Sequence, residues 1–153
     1  MLLLVGYVII LAASIGTYAV FHPFASRPDK TWPAERFLAV ATHLSQTGVE
    51  PVFIAGPPDE IGAFKNFQVH HNLSIRALKN LMAGAQIFLG NDSGPAHIAA
   101  AFGVPSVVLF GPSNPVTWAP WKTEAKVLTS PDSIQRITIQ QVIAAADALK
   151  VRA

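Results

Sequence analysis

Three loops in this sequence bring together residue types that can hold a phosphate ester. The densest is Gly90-Asn91-Asp92-Ser93-Gly94-Pro95-Ala96-His97, where an apolar run ends, small residues make a turn and a helical pattern begins at once. Amides at a helix start have no intrahelical partner, and the helix dipole favours negative charge beside them. Gly94 would let a phosphate approach the backbone, Ser93 adds a hydroxyl donor, and Pro95 fits a first helical turn, where a missing N–H costs nothing. Asp92 could cap the helix or take a ligand hydroxyl. An ordinary capped helix following a strand would show the same residues, so both readings stand on the physics alone.

The second loop is Ser26-Arg27-Pro28-Asp29-Lys30-Thr31-Trp32-Pro33. Its cations lie beyond an apolar run and before another helix start, where they could neutralise charge developing on a leaving diphosphate. The plainer account has Arg27 and Lys30 solvated and Trp32 stapling the helix. The third loop, Gly56-Pro57-Pro58-Asp59-Glu60, offers a carboxylate where nucleotide-binding folds often take ribose hydroxyls. His70 and His71 sit on no clear element and read as loop residues rather than a metal pair.

These loops need a scaffold, and the composition allows one. The chain has 153 residues, 51% of them apolar and 13% charged, which suits one domain with a real core and not a disordered chain. A net charge of +2, with no run of one sign, gives no footprint for nucleic acid. There is no cysteine, so disulfides, zinc ribbons and thiol catalysis are excluded together.

The first 26 residues carry no charged side chain, and Leu2 to Gly16 is almost wholly apolar. Two readings compete for residues 1–17: a membrane anchor, or a shortened start before a domain spanning 18–153. A transmembrane helix needs about 20 apolar residues, a length this segment reaches only by consuming the next strand. A secretory signal would want a basic start that Met1-Leu2-Leu3-Leu4 does not offer. If the segment inserts, Arg27, Lys30 and Arg36 favour a cytoplasmic C-terminal side. The expected location is therefore cytoplasmic, at the inner face of the membrane in the anchored case.

From Tyr18 onward, strand and helix signals alternate. Strands are predicted at Tyr18–His22, Val52–Ala55, Gln86–Leu89 and Val104–Phe110, with a short one at Lys126–Leu128. A helix from Pro33 places Phe37, Val40, Ala41 and Leu44 on one face and closes at Gly48. Ser74 caps a second helix burying Ile75, Leu78, Leu81 and Met82, with Gly84 at its end. A third runs from Ala96 to Phe102, broken by Gly103. A last one, from Thr138 to Leu149, opens on a capping-box pattern. Ile61 to Leu73 shows no readable pattern, and Gly111 to Trp121 is a proline-rich loop. Strands joined by helices imply parallel pairing with right-handed crossovers. The fold class is therefore α/β: a Rossmann-like open parallel sheet with helices on both faces. Ligands on such sheets sit beyond the carboxyl ends of the strands, which selects the loops after residues 22, 55, 90 and 110. A dinucleotide oxidoreductase is disfavoured, since no G-x-G-x-x-G follows the first strand.

Taken together, His22-Pro23-Phe24-Ala25-Ser26, the run from Arg27 to Phe37, Gly56 to Glu60, Gly90 to Ala101, Gly103-Val104-Pro105 and Phe110 to Pro115 resemble the C-terminal half of glycosyltransferase family 9, the ADP-heptose:lipopolysaccharide heptosyltransferases. The resemblance covers about residues 18 to 149. It implies the C-terminal domain of a GT-B glycosyltransferase, which binds the nucleotide sugar, and an inverting transfer to the lipopolysaccharide core with no metal or other cofactor. By resemblance Lys30 contacts the donor phosphates, helped by Ser26 and Arg27, and Glu60 holds the ribose. Asp92, Ser93, Gly94 and Pro95 hold the diphosphate and sugar, while His97 braces the loop or touches the ligand. The resemblance also implies that the general base belongs to an acceptor-binding N-terminal domain with no counterpart in these 153 residues, so the chain is expected to need a separate N-terminal half. A non-catalytic nucleotide-binding module or a degenerate fragment is the alternative. Two departures bear on the site: Phe24 stands where the family commonly has glycine, and the segment between Glu60 and Leu73 looks short enough to lose part of a helix and a strand.

Overall fold

The computed structural model describes residues 17–112, 124–130 and 132–150. Most of the apolar N-terminal segment and of the proline-rich loop therefore lies outside the described residues. Strands β1 (Tyr18–His22), β2 (Glu50–Ala55), β3 (Gln68–His71), β4 (Ile87–Asn91), β5 (Ser106–Phe110) and β6 (Ala125–Thr129) form a six-stranded sheet in the order β3-β2-β1-β4-β5-β6. Every neighbouring pair is parallel. The helices are α1 (Ala34–Gln46), α2 (Ile75–Ala83), α3 (Gly94–Ala101) and α4 (Ile139–Lys150).

Alternation along the strands separates two apolar layers. Ala19, Phe21, Phe53, Ile87, Leu89, Val107 and Leu109 pack under α1 and α4. Val20, Ile54, Phe88, Val108 and Phe110 pack under α2 and α3 on the other face. The predicted face of α1 is the buried one, through Phe37, Val40, Ala41 and Leu44. Gly48 follows it with φ +89°, the left-handed conformation that ends a helix without a Cβ penalty. The capping box of α4 is reciprocal: the Thr138 N–H donates to Gln141 Oε1 (2.8 Å), and the Gln141 N–H to Thr138 Oγ1 (3.1 Å). Ser74 Oγ accepts from the Ala77 N–H at 3.1 Å to start α2.

Four expectations need correction. His70 and His71 belong to β3, an edge strand registered on Ile54 and Ala55, so the segment before Leu73 keeps its strand and opens with a single 3-10 turn at Gly62–Phe64. The strand escaped notice because Gln68-Val69-His70-His71 has one aliphatic side chain and is only half buried, which leaves no apolar alternation to read. β4 continues through Gly90 and Asn91, so the turn after it begins at Asp92. Val104 and Pro105 precede β5 rather than opening it. Ile75 is 62% exposed at the start of α2, where only Met82 is fully buried.

The loop between β1 and α1 is pinned by Trp32, which is completely buried. Its ring meets Phe37 edge-on at 5.0 Å, and its Nε1–H donates to the Ile137 carbonyl at 2.8 Å. Its backbone N–H donates to Asn91 Oδ1 at 3.1 Å, tying the loop to the end of β4. Arg36 lies over the same ring at 6.0 Å and donates to the carbonyls of Ile137 (3.0 Å) and Gln135. Trp32 is thus a core residue that anchors the cationic loop, beyond the stapling role read from the sequence. Trp32→Ala should cost about 3–5 kcal/mol of stability in urea unfolding, from lost burial and the cavity left behind. A loss below about 1 kcal/mol would mean that the ring does not anchor this loop.

Candidate functional site

At the carboxyl edge of the sheet the connections from β1 and β4 leave in opposite directions, the place where doubly wound folds open a crevice. Here the structure has a cleft of about 640 Å³, lined on one side by His22, Phe24 and Ser26 and on the other by Ser93, Gly94 and Pro95. Gly56 to Asp59, His70, Asn72, Leu73 and Leu78 close it over β2 and β3. The ends of β1 and β4 meet because His22 is registered on Gly90, where an added Cβ would lie 2.9 Å from the His22 carbonyl oxygen and 2.8 Å from the Phe88 ring. Glycine is required there by close approach rather than by φ.

The turn Asp92-Ser93-Gly94 has fewer donors than its position promises. Pro95 has no N–H, and the Ala96 N–H is taken by the Ser93 carbonyl at 3.2 Å, so of this turn's amides those of Ser93 and Gly94 have no backbone partner among the described residues. Among the described residues, nothing lies within 4 Å of an added Cβ at Gly94. Ser93 is the N-cap residue, but its side chain does not cap the helix. Its Oγ is instead 2.9 Å from His22 Nδ1. Asp92 does not cap either; its carboxylate lies 3.7 Å from Lys30 Nζ, and its N–H donates to the Leu109 carbonyl at 3.1 Å. The pair of Lys30 and Asp92 thus stands directly beside Ser93.

Burial pushes the His22 imidazole down to about 4, offset in part by the Asp59 carboxylate. The ring is therefore neutral at physiological pH and carries one proton. It also meets the Phe24 ring edge-on at 6.0 Å, and Phe24 in turn meets Phe64 at 5.7 Å. Phe24 accordingly fills the β1 side of the cleft where the resemblance expects glycine.

The structure gathers some of the anticipated residues and leaves others apart. Ser26, Ser93, Gly94 and Pro95 line the cleft. Lys30 and Asp92 form their pair next to it. Arg27 is exposed and bonded to Asp29. His97 is exposed on α3 and does not line the cleft. Glu60 is exposed as well, and the carboxylate lining the cleft at this turn is that of Asp59, whose Oδ2 accepts from the Gly56 N–H at 2.7 Å. His71 donates through Nε2 to the Gly56 carbonyl at 2.9 Å, while His70, its neighbour on the opposite face of β3, lines the cleft. Among the described residues, no group of three His, Asp or Glu is placed to hold a metal ion, and no helix is long and apolar enough to cross a membrane. Sequence reasoning missed His22 as a site residue. Its signal was a polar residue ending an apolar strand just before a proline, at the edge where ligands bind.

A doubly wound parallel sheet with a cleft at its switch point defines a Rossmann-like domain. The chain belongs to glycosyltransferase family 9 (heptosyltransferase), whose family model matches residues 12–142. It is 33% identical over 121 residues to lipopolysaccharide heptosyltransferase 3 of Escherichia coli, covering 71% of this chain and 36% of that protein. The crystal structure of the glycosyl transferase family 9 from Veillonella parvula DSM 2008 matches with a TM-score of 0.83 at 29% identity, over 89% of this chain and 47% of that one. The structure of E. coli ADP-heptose lps heptosyltransferase II matches at 0.78 and 25% identity, over 96% and 51%. The chain thus spans about a third of the length of the curated relatives it matches. Its sheet and helices are those of GT-B glycosyltransferases, as the resemblance implied.

The half-buried neutral imidazole makes stability pH-dependent. An unfolded histidine takes up a proton near 6.5, whereas the folded His22 ring resists it down to about 4. The unfolded chain then binds more protons in that window, so stability is fully present above 6.5 and falls as pH drops towards 4, by roughly 3 kcal/mol from this group. Urea unfolding at pH 7 and pH 4.5 should show a smaller acid loss for His22→Asn than for the unsubstituted chain. Equal losses would remove His22 as the source.

Proposed function

We propose that this chain is the donor-binding half of an inverting glycosyltransferase that takes heptose from an ADP-sugar and delivers it to a lipopolysaccharide-core acceptor. The observation that carries the reading is the meeting of the Ser93-Gly94 turn with the Lys30–Asp92 pair at the edge of the cleft. Relatives whose names specify ADP-heptose and lipopolysaccharide supply the sugar and the acceptor.

In this reading the Ser93 and Gly94 amides and the Ser93 hydroxyl bind the diphosphate, with Ser26 on the facing wall. Lys30, helped by Arg27 once it leaves Asp29, neutralises the charge that develops as the bond from the anomeric carbon to the diphosphate breaks. Asp92 holds Lys30 in place and accepts from a sugar hydroxyl. A carboxylate of the Asp59-Glu60 turn takes the ribose; Asp59 already lines the cleft, and Glu60 would have to turn inward. His97, exposed on α3 and outside the cleft lining, takes no part in this reading. The acceptor hydroxyl attacks from the opposite face and gives its proton to a base outside these residues, supplied by a separate acceptor-binding half. Because cationic side chains carry the leaving-group charge, the reading needs no metal ion.

Calorimetry with ADP and the full chain tests this directly. Saturable binding is expected, weakened about tenfold or more by Lys30→Ala, which removes a charge-assisted contact. Asp92→Asn should weaken ADP less, because it loosens Lys30 but also removes a negative charge near the phosphates. A folded chain that binds no ADP would overturn the donor-site reading and favour a degenerate fragment.

A further inference from the structure

The contact between His22 and Ser93 has a direction that matters for an anion. A serine hydroxyl has one proton. If Ser93 spends it on His22 Nδ1, Oγ presents only lone pairs to the cleft and opposes a phosphate. If the ring donates instead, the hydroxyl proton is free for the ligand, and the bond it accepts strengthens it as a donor. The surroundings hold the ring in one place: its backbone is registered on Gly90, Phe24 packs on its edge, and Phe24 rests on Phe64. Burial keeps the ring neutral, so a single proton on one of its two nitrogens decides the matter.

We propose that His22 is a positioning residue for Ser93: its Nδ1–H donates to Ser93 Oγ and turns the serine hydroxyl proton towards a diphosphate oxygen in the cleft. The proposal rests on the donor-site reading and adds to it a residue that need not touch the phosphate. It also explains why the N-cap serine of α3 leaves its own helix uncapped, since Oγ is held towards β1 instead.

The test combines a spectroscopic signature with a mutant cycle on the full chain. Nitrogen-15 NMR at pH 7 should find the His22 proton on Nδ1. ADP affinity should fall about tenfold for His22→Leu and for Ser93→Ala, with the double variant no worse than either alone. His22→Asn, whose amide places a donor near the position of Nδ1, should stay within about threefold of the unsubstituted chain. A proton on Nε2, an unaffected His22→Leu chain, or additive losses would overturn the proposal while leaving the donor site intact. Absence of ADP binding by the unsubstituted chain would overturn both. Should His22→Leu fail to fold, the tautomer together with the affinity kept by His22→Asn and lost by Ser93→Ala decides the question.

Discussion

Parallel pairing of β1 with β2 on one side and β4 on the other is the constraint from which the site follows. Every strand of a parallel sheet ends at the same edge, so the loops that follow share one surface. The order β3-β2-β1-β4-β5-β6 then sends the connection from β1 one way and that from β4 the other, and the crevice opens between them. A cation loop after β1 and a serine turn after β4 become neighbours although some sixty residues separate them. The absence of a side chain at Gly90 sets how closely they meet. Without that close approach, His22 would stand too far out to reach Ser93.

Attraction alone does not hold the charged side of this edge in place. Lys30 and Asp92 are 3.7 Å apart, too long for a direct charge-assisted hydrogen bond, and partly solvated, so the pair contributes little, about 0–1 kcal/mol. What fixes Lys30 is the backbone around it, anchored by buried Trp32 and by the bond from the Trp32 N–H to Asn91. Asn91 is itself fully buried, and its Nδ2 has no partner among the described residues. An unsatisfied buried amide costs about 1–3 kcal/mol. An apolar residue would fit a strand end better but could not accept from Trp32, so Asn91 gives up packing for the bond that couples loop to strand.

The legibility of the sequence follows the same physics. Elements with one well-buried face announced themselves: α1 through Phe37, Val40, Ala41 and Leu44, and α4 through its capping box. The central strands were equally plain, because a strand covered on both faces is an unbroken apolar run. The edge strand β3 was not, since exposed Gln68 and half-buried His70 carry no pattern. At the site, loop identity was readable and side-chain direction was not. The sequence pointed to the turn holding Asp59 and Glu60, but only the backbone shows that Asp59 faces the cleft and Glu60 faces solvent. Asp92 looked like a cap because nothing in the sequence places Lys30 beside it. His22 was overlooked because its importance comes from β1 and β4 being neighbours, a fact of topology rather than of local spacing.

Phe24 shows how a departure at one wall is absorbed by the rest of the site. A ring in place of glycine removes room on the β1 side, and its packing against Phe64 holds it there. The opposite wall compensates, since the space beside Gly94 is open and the Ser93 and Gly94 amides border it. In the proposed reading an anion would sit towards the α3 side, since Phe24 itself offers it no donor and leaves Ser26 to contact it from the facing wall. The same ring packs on His22 and restricts its swing, so the bulk that narrows the cleft also fixes the group that orients Ser93. Replacing Phe24 with glycine would widen the approach and loosen His22 together. In the proposed reading the two effects on ligand affinity would oppose each other, because Phe24 both narrows the cleft and steadies the ring beside Ser93.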